Sequence, residues 1–153
     1  MRIAAVSKSA SKGEKKVNRP EINLVAGYGV EGDAHADGTH RQLSLLALED
    51  IEYMRSMGAD VHPGDFAENI TTEGVELFTC PVGTKFGIGS DIELVLTQIG
   101  KECHQGCAIR KQVGDCIMPR RGVFCRILKG GTVRPGDSFR IISRPEKLSV
   151  RED

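Results

Sequence analysis

No apolar run in this chain of 153 residues comes near the roughly 20 residues that a bilayer-spanning helix needs. The first residues, Met1 to Lys8, lack the longer apolar region and the cleavage site of a secretion signal. A soluble, cytoplasmic protein is expected. Excess charge of either sign is missing as well, since 21 Lys and Arg face 21 Asp and Glu. That balance excludes the basic footprint of a nucleic-acid binder, so any anion site must be local. There is no C-x-x-C pair to seed a structural zinc site and no repeat, linker or low-complexity tract. A chain of this size buries about two thirds of its unfolded surface and needs no disulfides to hold a core. The five cysteines, an odd number, are therefore expected as reduced thiols. The acceptor triplet Asn69-Ile70-Thr71 has meaning only in a secreted chain and is set aside.

What is present is a succession of short strand-like stretches. They fall at residues 3–7, 42–46, 66–70, 84–88, 91–99, 122–128 and 138–142, and Ile92 to Ile99 is the clearest, rich in β-branched and aliphatic residues. Gly and Pro corners separate them: Pro63-Gly-Asp, Pro81-Val-Gly, Gly87-Ile-Gly-Ser-Asp, Lys129-Gly-Gly-Thr and Pro135-Gly-Asp. Short strands with such corners predict a mainly β barrel or sandwich. A helix is expected over residues 47–57, where Leu48, Ile51 and Met54 or Arg55 recur at helical spacing and Gly58 follows as a left-handed cap. A second short helix is expected around Cys107 to Val113, ending at Gly114. The organisation is one domain over residues 1–144 and a charged tail over 145–153 that is expected to fray.

Four of the cysteines, Cys103, Cys107, Cys116 and Cys125, crowd into a short cationic stretch. Nearby positive charge favours the thiolate, which can attack, carry sulfur or bind metal. Cys103 follows the best strand, precedes the second expected helix and is flanked by Lys101 and His104. Cys125 and Cys80 sit in apolar runs and read as core fillers. Cys107 and Cys116 either resolve a sulfenate or persulfide on Cys103 or are inert buried thiols. Arg110, Lys111, Arg120, Arg121, Arg126, Lys129 and Arg134 lie in the same region. They form an anion pocket if they converge on Cys103, or a solvated face if acidic residues balance them. Arg41 is a second cation, expected to reach that pocket if the glycine loop at residues 27–32 folds over it.

That loop matches G-x-G-x-x-G, but the residues after it have no helical period, so it is not a dinucleotide fingerprint. A ligand-approaching loop and a plain surface loop both remain open. His35, His40 and His104, with Asp33, Asp37 and the cysteines, do not have zinc spacing, and His62 before Pro-Gly reads as a turn residue.

Three blocks together resemble the MOSC domain, the family named for the C-terminal domain of molybdenum cofactor sulfurase. They are Gly32 to Leu46 (GDAHADGTHRQLSLL), Pro63 to Leu77 (PGDFAENITTEGVEL), and the pair Ile99 to His104 (IGKECH) and Met118 to Asp137 (MPRRGVFCRILKGGTVRPGD). Their order and spacing carry the likeness, which is to small stand-alone bacterial members. The resemblance implies a mainly β fold, a closed or nearly closed β-barrel with a few short helices. It also implies a role in molybdenum cofactor handling, by binding the metal-pterin cofactor (molybdopterin) or carrying sulfur for it as a persulfide. Cys103 occupies the place of the family's cysteine, as reactive thiol and metal ligand. Arg41, His40, Lys101, His104, Arg110, Arg120 and Arg121 are the candidates for holding the pterin and its phosphate. Cys107 and Cys116 depart from the one-cysteine pattern.

The chain has no segment resembling a pyridoxal phosphate desulfurase domain. A sulfur-carrying role therefore implies a cysteine desulfurase or a molybdoenzyme as partner, with no nucleic acid and no membrane. A sulfur-carrier or transferase activity and a cofactor-dependent activity both stay open. So do two alternatives: a non-catalytic binding module for an anionic small molecule or biosynthetic partner, and a molybdenum-dependent reductase of N-hydroxylated compounds.

Overall fold

The computed structural model describes residues 1–10, 16–33, 41–100 and 121–145. Within them the chain forms β1 (Arg2–Lys8), β2 (Val17–Arg19), β3 (Ile22–Val25), β4 (Gly29–Val30), β5 (Leu43–Ala47), α1 (Leu48–Ser56), β6 (Ile70–Glu73), β7 (Lys85–Ile88), β8 (Ile92–Ile99), β9 (Val123–Lys129), β10 (Gly131–Val133) and β11 (Phe139–Ser143). Eight strands make one sheet in the order β11-β7-β8-β9-β5-β6-β1-β2, and β10-β3-β4 make a small second one. The large sheet curls until its ends nearly meet. Arg2 bridges Ser138, the Ile3 N–H donates to Asp137 O at 2.9 Å, and the Gly136 N–H donates to Ile3 O at 2.8 Å. The expected nearly closed, mainly β barrel is what the chain forms.

Alternation along the strands builds the core. Leu43 and Leu45 of β5, Ile92, Leu94 and Leu96 of β8, and Val123, Cys125 and Ile127 of β9 all belong to one buried cluster inside the curl. The Phe86 and Phe139 rings pack there at 5.0 Å between centroids. Each such side chain contributes on the order of 1.5–3 kcal/mol by leaving water. The intervening residues Leu46 and Phe124 face outward and meet Ile51 and Met54 of α1, with Ala59, Val61 and Phe66, in a second cluster. α1 therefore lies against the outside of the barrel. It is part of the crossover that makes β5 and β6 parallel neighbours. It ends as expected: Gly58 has φ 98° and donates to Arg55 O at 3.0 Å.

One expectation needs correction. Residues 66–69 are a turn, and the strand there begins only at Ile70. The reason is Glu68, whose buried carboxylate accepts the N–H groups of Gly64 and Phe66 and folds the chain back on itself. Ala67, at φ 66°, completes the reversal. The glycine loop at residues 27–32 is the tip and flank of the β3–β4 hairpin, with Leu24 opposite Val30. Gly27 donates to Ile127 O at 3.0 Å, so the tip is stitched to β9. The expected helix around Cys107 to Val113 lies outside the described residues.

Candidate functional site

The candidate site is built around the place where β8 hands over to residues 101–120 and the chain returns into β9. Gly100, at φ 72°, turns the backbone out of the sheet, and its N–H donates to Gly122 O at 2.6 Å. This pair forms a neck. Cys103, Lys101, His104, Cys107, Arg110, Cys116 and Arg120 all fall between its two sides and lie outside the described residues, as do His35 and His40.

Arg41 and Arg121 are the two predicted site residues that are described, and both come to this end of the strands. Arg41 stands just before β5. Its Nε donates to the Gln98 side-chain carbonyl at 3.2 Å, and its guanidinium lies over the Phe124 ring at 5.2 Å from the centroid. The Gln98 amide in turn donates to Gly100 O at 2.8 Å. Arg41 thus reaches the neck through Gln98 and Phe124, without the glycine loop as intermediary.

Arg121 is the residue before Gly122. Its Nη1 donates to Asp50 Oδ1 at 3.0 Å, and its guanidinium stacks on Phe78 at 4.3 Å. Burial raises the pKa of Asp50 above the usual carboxylate range, while the Arg121 charge and hydrogen bond work against that shift. Asp50, Glu76, Phe78 and Arg121, with Val75 and Gly74, line a cleft of about 220 Å³ beside the neck.

The other basic residues divide. Lys129 pairs with Glu93 at 3.2 Å and Arg134 with Glu21 at 3.0 Å, both largely exposed. For these two the solvated, charge-balanced face is the better description, and such pairs add little stability. Cys80 and Cys125 are core fillers, 2% and 0% exposed. Burial pushes both thiols above the usual range, with Arg144 acting against this at Cys80. His62 is at a turn, donating its N–H to Asp65.

The sequence reading missed three buried polar features. Lys16, the last residue of the run Glu14-Lys-Lys, forms an ion pair with Asp33. Glu68 is completely buried and accepts hydrogen bonds from Gly64, Phe66 and Thr71. Asn69 accepts from the Ser44 N–H at 3.1 Å and donates to Ser7 O at 3.2 Å, tying β1 to β5. Only the proline and glycine of Pro63-Gly64 hinted that this loop turns tightly.

The same curled barrel is found in solved structures. YuaD protein from Bacillus subtilis superposes with a TM-score of 0.76 at 19% identity, over 92% of this chain and 94% of that one. YiiM from Escherichia coli gives 0.65 at 20% identity, over 98% of this chain and 74% of that one. YiiM from Geobacillus stearothermophilus gives 0.66 at 16% identity, over 93% and 75%. These likenesses concern the fold alone. The family follows from the sequence: the MOSC domain model matches residues 32–140, and the chain belongs to the MOSC domain family. That family is linked to the molybdenum cofactor. None of the curated proteins matches the chain.

The residues present can be tested against such a group. Among the described residues no three His, Cys, Asp or Glu side chains gather to hold a metal ion, and the described thiols are sealed in the core. The neck nonetheless carries Arg41 and Arg121, guanidinium groups suited to a phosphate. The anionic end of a metal-pterin therefore has fitting partners on the described rim. No helix among the described residues is long and apolar enough to cross a membrane.

Proposed function

We propose that this protein handles the molybdenum cofactor, either binding the metal-pterin or carrying sulfur destined for it on Cys103. The observation that carries the reading is the position of Arg41, held at the root of the cysteine-bearing segment by Gln98 and Phe124. Family membership over residues 32–140 supports it independently. In this reading Arg41 and Arg121 bind the pterin phosphate, with His40, Lys101, His104, Arg110 and Arg120 completing a cationic surround. Cys103, ionised by that field, is the soft donor to the metal or the acceptor of sulfur. When bound, the metal-pterin would supply redox and atom-transfer chemistry.

As a sulfur carrier, the Cys103 thiolate attacks the outer sulfur of a persulfide on a cysteine desulfurase. The partner's S–S bond breaks, a new S–S bond forms on Cys103, and the partner leaves as a thiolate. A molybdoenzyme or its cofactor precursor is then the recipient. These are reactions of the cytoplasm, where thiols stay reduced.

The test is direct. Protein purified from a molybdenum-replete bacterial host is oxidised, and released pterin is quantified by fluorescence. Pterin is expected with the parent chain and should fall at least tenfold in Cys103→Ser and in Arg41→Ala. A parent chain that takes up neither pterin nor sulfane sulfur, with Cys103 alkylated by iodoacetamide no faster than free cysteine, would sink the reading.

A further inference from the structure

We infer that the outer face of β7, β8, β9 and β11 is a docking surface for a partner protein that presents acidic residues to it. Strand register builds the surface. Lys85 of β7 stands opposite Val95 of β8, and Val95 stands opposite Arg126 of β9, so two cations flank one valine across three strands. All three point away from the core, because their strand neighbours Phe86, Leu94, Leu96, Cys125 and Ile127 belong to the buried cluster. In the next row Arg140 of β11 stands opposite Gly87 of β7, and Gly87 opposite Glu93 of β8. The Arg140 guanidinium lies over Gly87, where a Cβ would come 2.6 Å from its Cζ, and its Nη1 donates to Gly89 O. Glycine at position 87 thus makes the notch that seats this cation on the sheet. Lys85, Arg126 and Arg140 are all exposed. The helix α1 covers the outer face only at Leu46 and Phe124 and leaves these rows open.

Charge says what the surface receives. Glu93 is matched by Lys129 at 3.2 Å, while no carboxylate among the described residues pairs with Lys85, Arg126 or Arg140. Asp91, in the turn between β7 and β8, pairs with none of them either. Three unmatched cations therefore stand together on a chain whose net charge is zero. Such a patch is complementary to an acidic surface, and complementarity of this kind steers encounter and fixes orientation. A protein suits it better than a nucleic acid does. Half-buried Val95 lies between two of the cations, and Leu128 of β9 and Ile142 of β11 are exposed, so apolar area is interleaved with the charge as in protein interfaces. The two rows hold no aromatic ring on which a base could stack. Val95 also precedes Gly100 by about 17 Å along the β8 direction, so a protein docked here sits beside the neck and the root of the cysteine-bearing segment.

A fluorescein-labelled oligoglutamate peptide is the probe, added to the intact chain and followed by anisotropy at low and at physiological ionic strength. Arg126→Glu should weaken binding by about fivefold at low ionic strength, and Lys85→Glu combined with it by more than about tenfold. Arg134→Glu makes the same change in net charge at a cation already paired with Glu21, and should stay within about twofold of the parent. Gly87→Ala keeps the net charge but unseats the Arg140 guanidinium, so a loss of about threefold is expected. That variant decides the question if charge reversal impairs folding. Carbodiimide then couples bound carboxylates to amines, and mass mapping should find the peptide on Lys85. A parent chain that does not bind oligoglutamate, an unchanged affinity in both Arg126→Glu and Gly87→Ala, or cross-links only at other lysines overturns the inference. So does a single-stranded oligonucleotide of equal charge, or a phosphatidylglycerol vesicle, that binds the parent more tightly than the peptide through the same residues.

Discussion

Lys16 and Asp33 meet at 2.8 Å as an ion pair whose two side chains are each 1% exposed. The Ser9 N–H donates to the same carboxylate at 2.9 Å, and the Lys16 N–H donates to Gly64 O at 3.0 Å. The pair thereby binds the chain just past β1, the residue ahead of the 34–40 segment and the Pro63–Asn69 turn into one unit. Burial by itself would raise the pKa of Asp33. The Lys16 and Ser9 hydrogen bonds and the Lys16 charge outweigh it and hold the carboxyl below its ordinary value.

Breaking one side of this pair should be costly. Lys16→Met leaves a buried carboxylate without its cation, and an unfolding free-energy loss of about 3–5 kcal/mol is expected in urea titration. The double variant Lys16→Met with Asp33→Leu should recover most of it. Equal losses in the single and double variants would show that the pair has no special weight. Because the folded-state pKa of Asp33 is depressed, its contribution is present above the unfolded value of 3.8 and lost as pH falls through the lower folded value.

Glu68 should act in the opposite sense. Burial raises its pKa from 4.5 to about 7, although the Gly64 and Phe66 N–H groups and the Thr71 hydroxyl favour the charged form. Between those values the folded chain keeps a proton that the unfolded chain has released. The contribution of Glu68 to stability is therefore full below pH 4.5 and declines as pH rises to about 7. Its size is on the order of 3 kcal/mol. Glu68→Gln should flatten the stability difference between pH 5 and pH 8 while lowering stability at both, since one amide cannot accept at both oxygens. An unchanged pH profile in that variant would exclude Glu68 as the titrating group.

The Gly64 backbone, at φ 96°, leaves no room for a side chain, because a Cβ there would strike the Lys16 carbonyl. Gly64→Ala should lose more than about 1 kcal/mol from the left-handed conformation alone, with the collision added. Gly27→Ala, also at positive φ but with nothing within 4 Å of the new carbon, is the control for conformation without collision. Thermal midpoints of the two variants decide the matter, and an equal shift in both would show that the turn relaxes.

Thiol labelling should separate the cysteines by location. Cys80 and Cys125 are buried with raised pKa values, so both should resist iodoacetamide in the native chain at neutral pH and react only on unfolding. Mass mapping of labelled peptides is expected to find neither Cys80 nor Cys125 among the sites that react in the native state. Rapid native labelling of Cys125 would contradict the packing of β9.

Much of the barrel was legible because it rests on local rules. The alternation of Ile92, Leu94 and Leu96, the corners at Pro81-Val-Gly and Pro135-Gly-Asp, and the helix closed by Gly58 are all set within a few residues. The strands that went unread are β2, β3, β4 and β10, each of four residues or fewer. Such short segments have too little periodicity to stand out, and β2 is exposed throughout. The expected strand at residues 66–70 failed for a different reason. Phe66 and Ile70 supply apolar weight, but the Glu68 carboxylate captures the backbone donors that a strand would have shared with a neighbour.

By itself the sequence determined that this would be a β-rich barrel of the MOSC family, since that follows from alternation, turn residues and the order of three motif blocks along the chain. It determined also which residue types crowd the cysteine segment. Tertiary structure alone decided which of the described cations stand at the neck and which lie elsewhere. Arg41 meets Gln98 and Arg121 meets Asp50 and Phe78 because strand order brings together groups dozens of positions apart, and Lys16 meets Asp33 across 17 positions. A charge's partner depends on distance in space, and no local pattern in the chain encodes that distance.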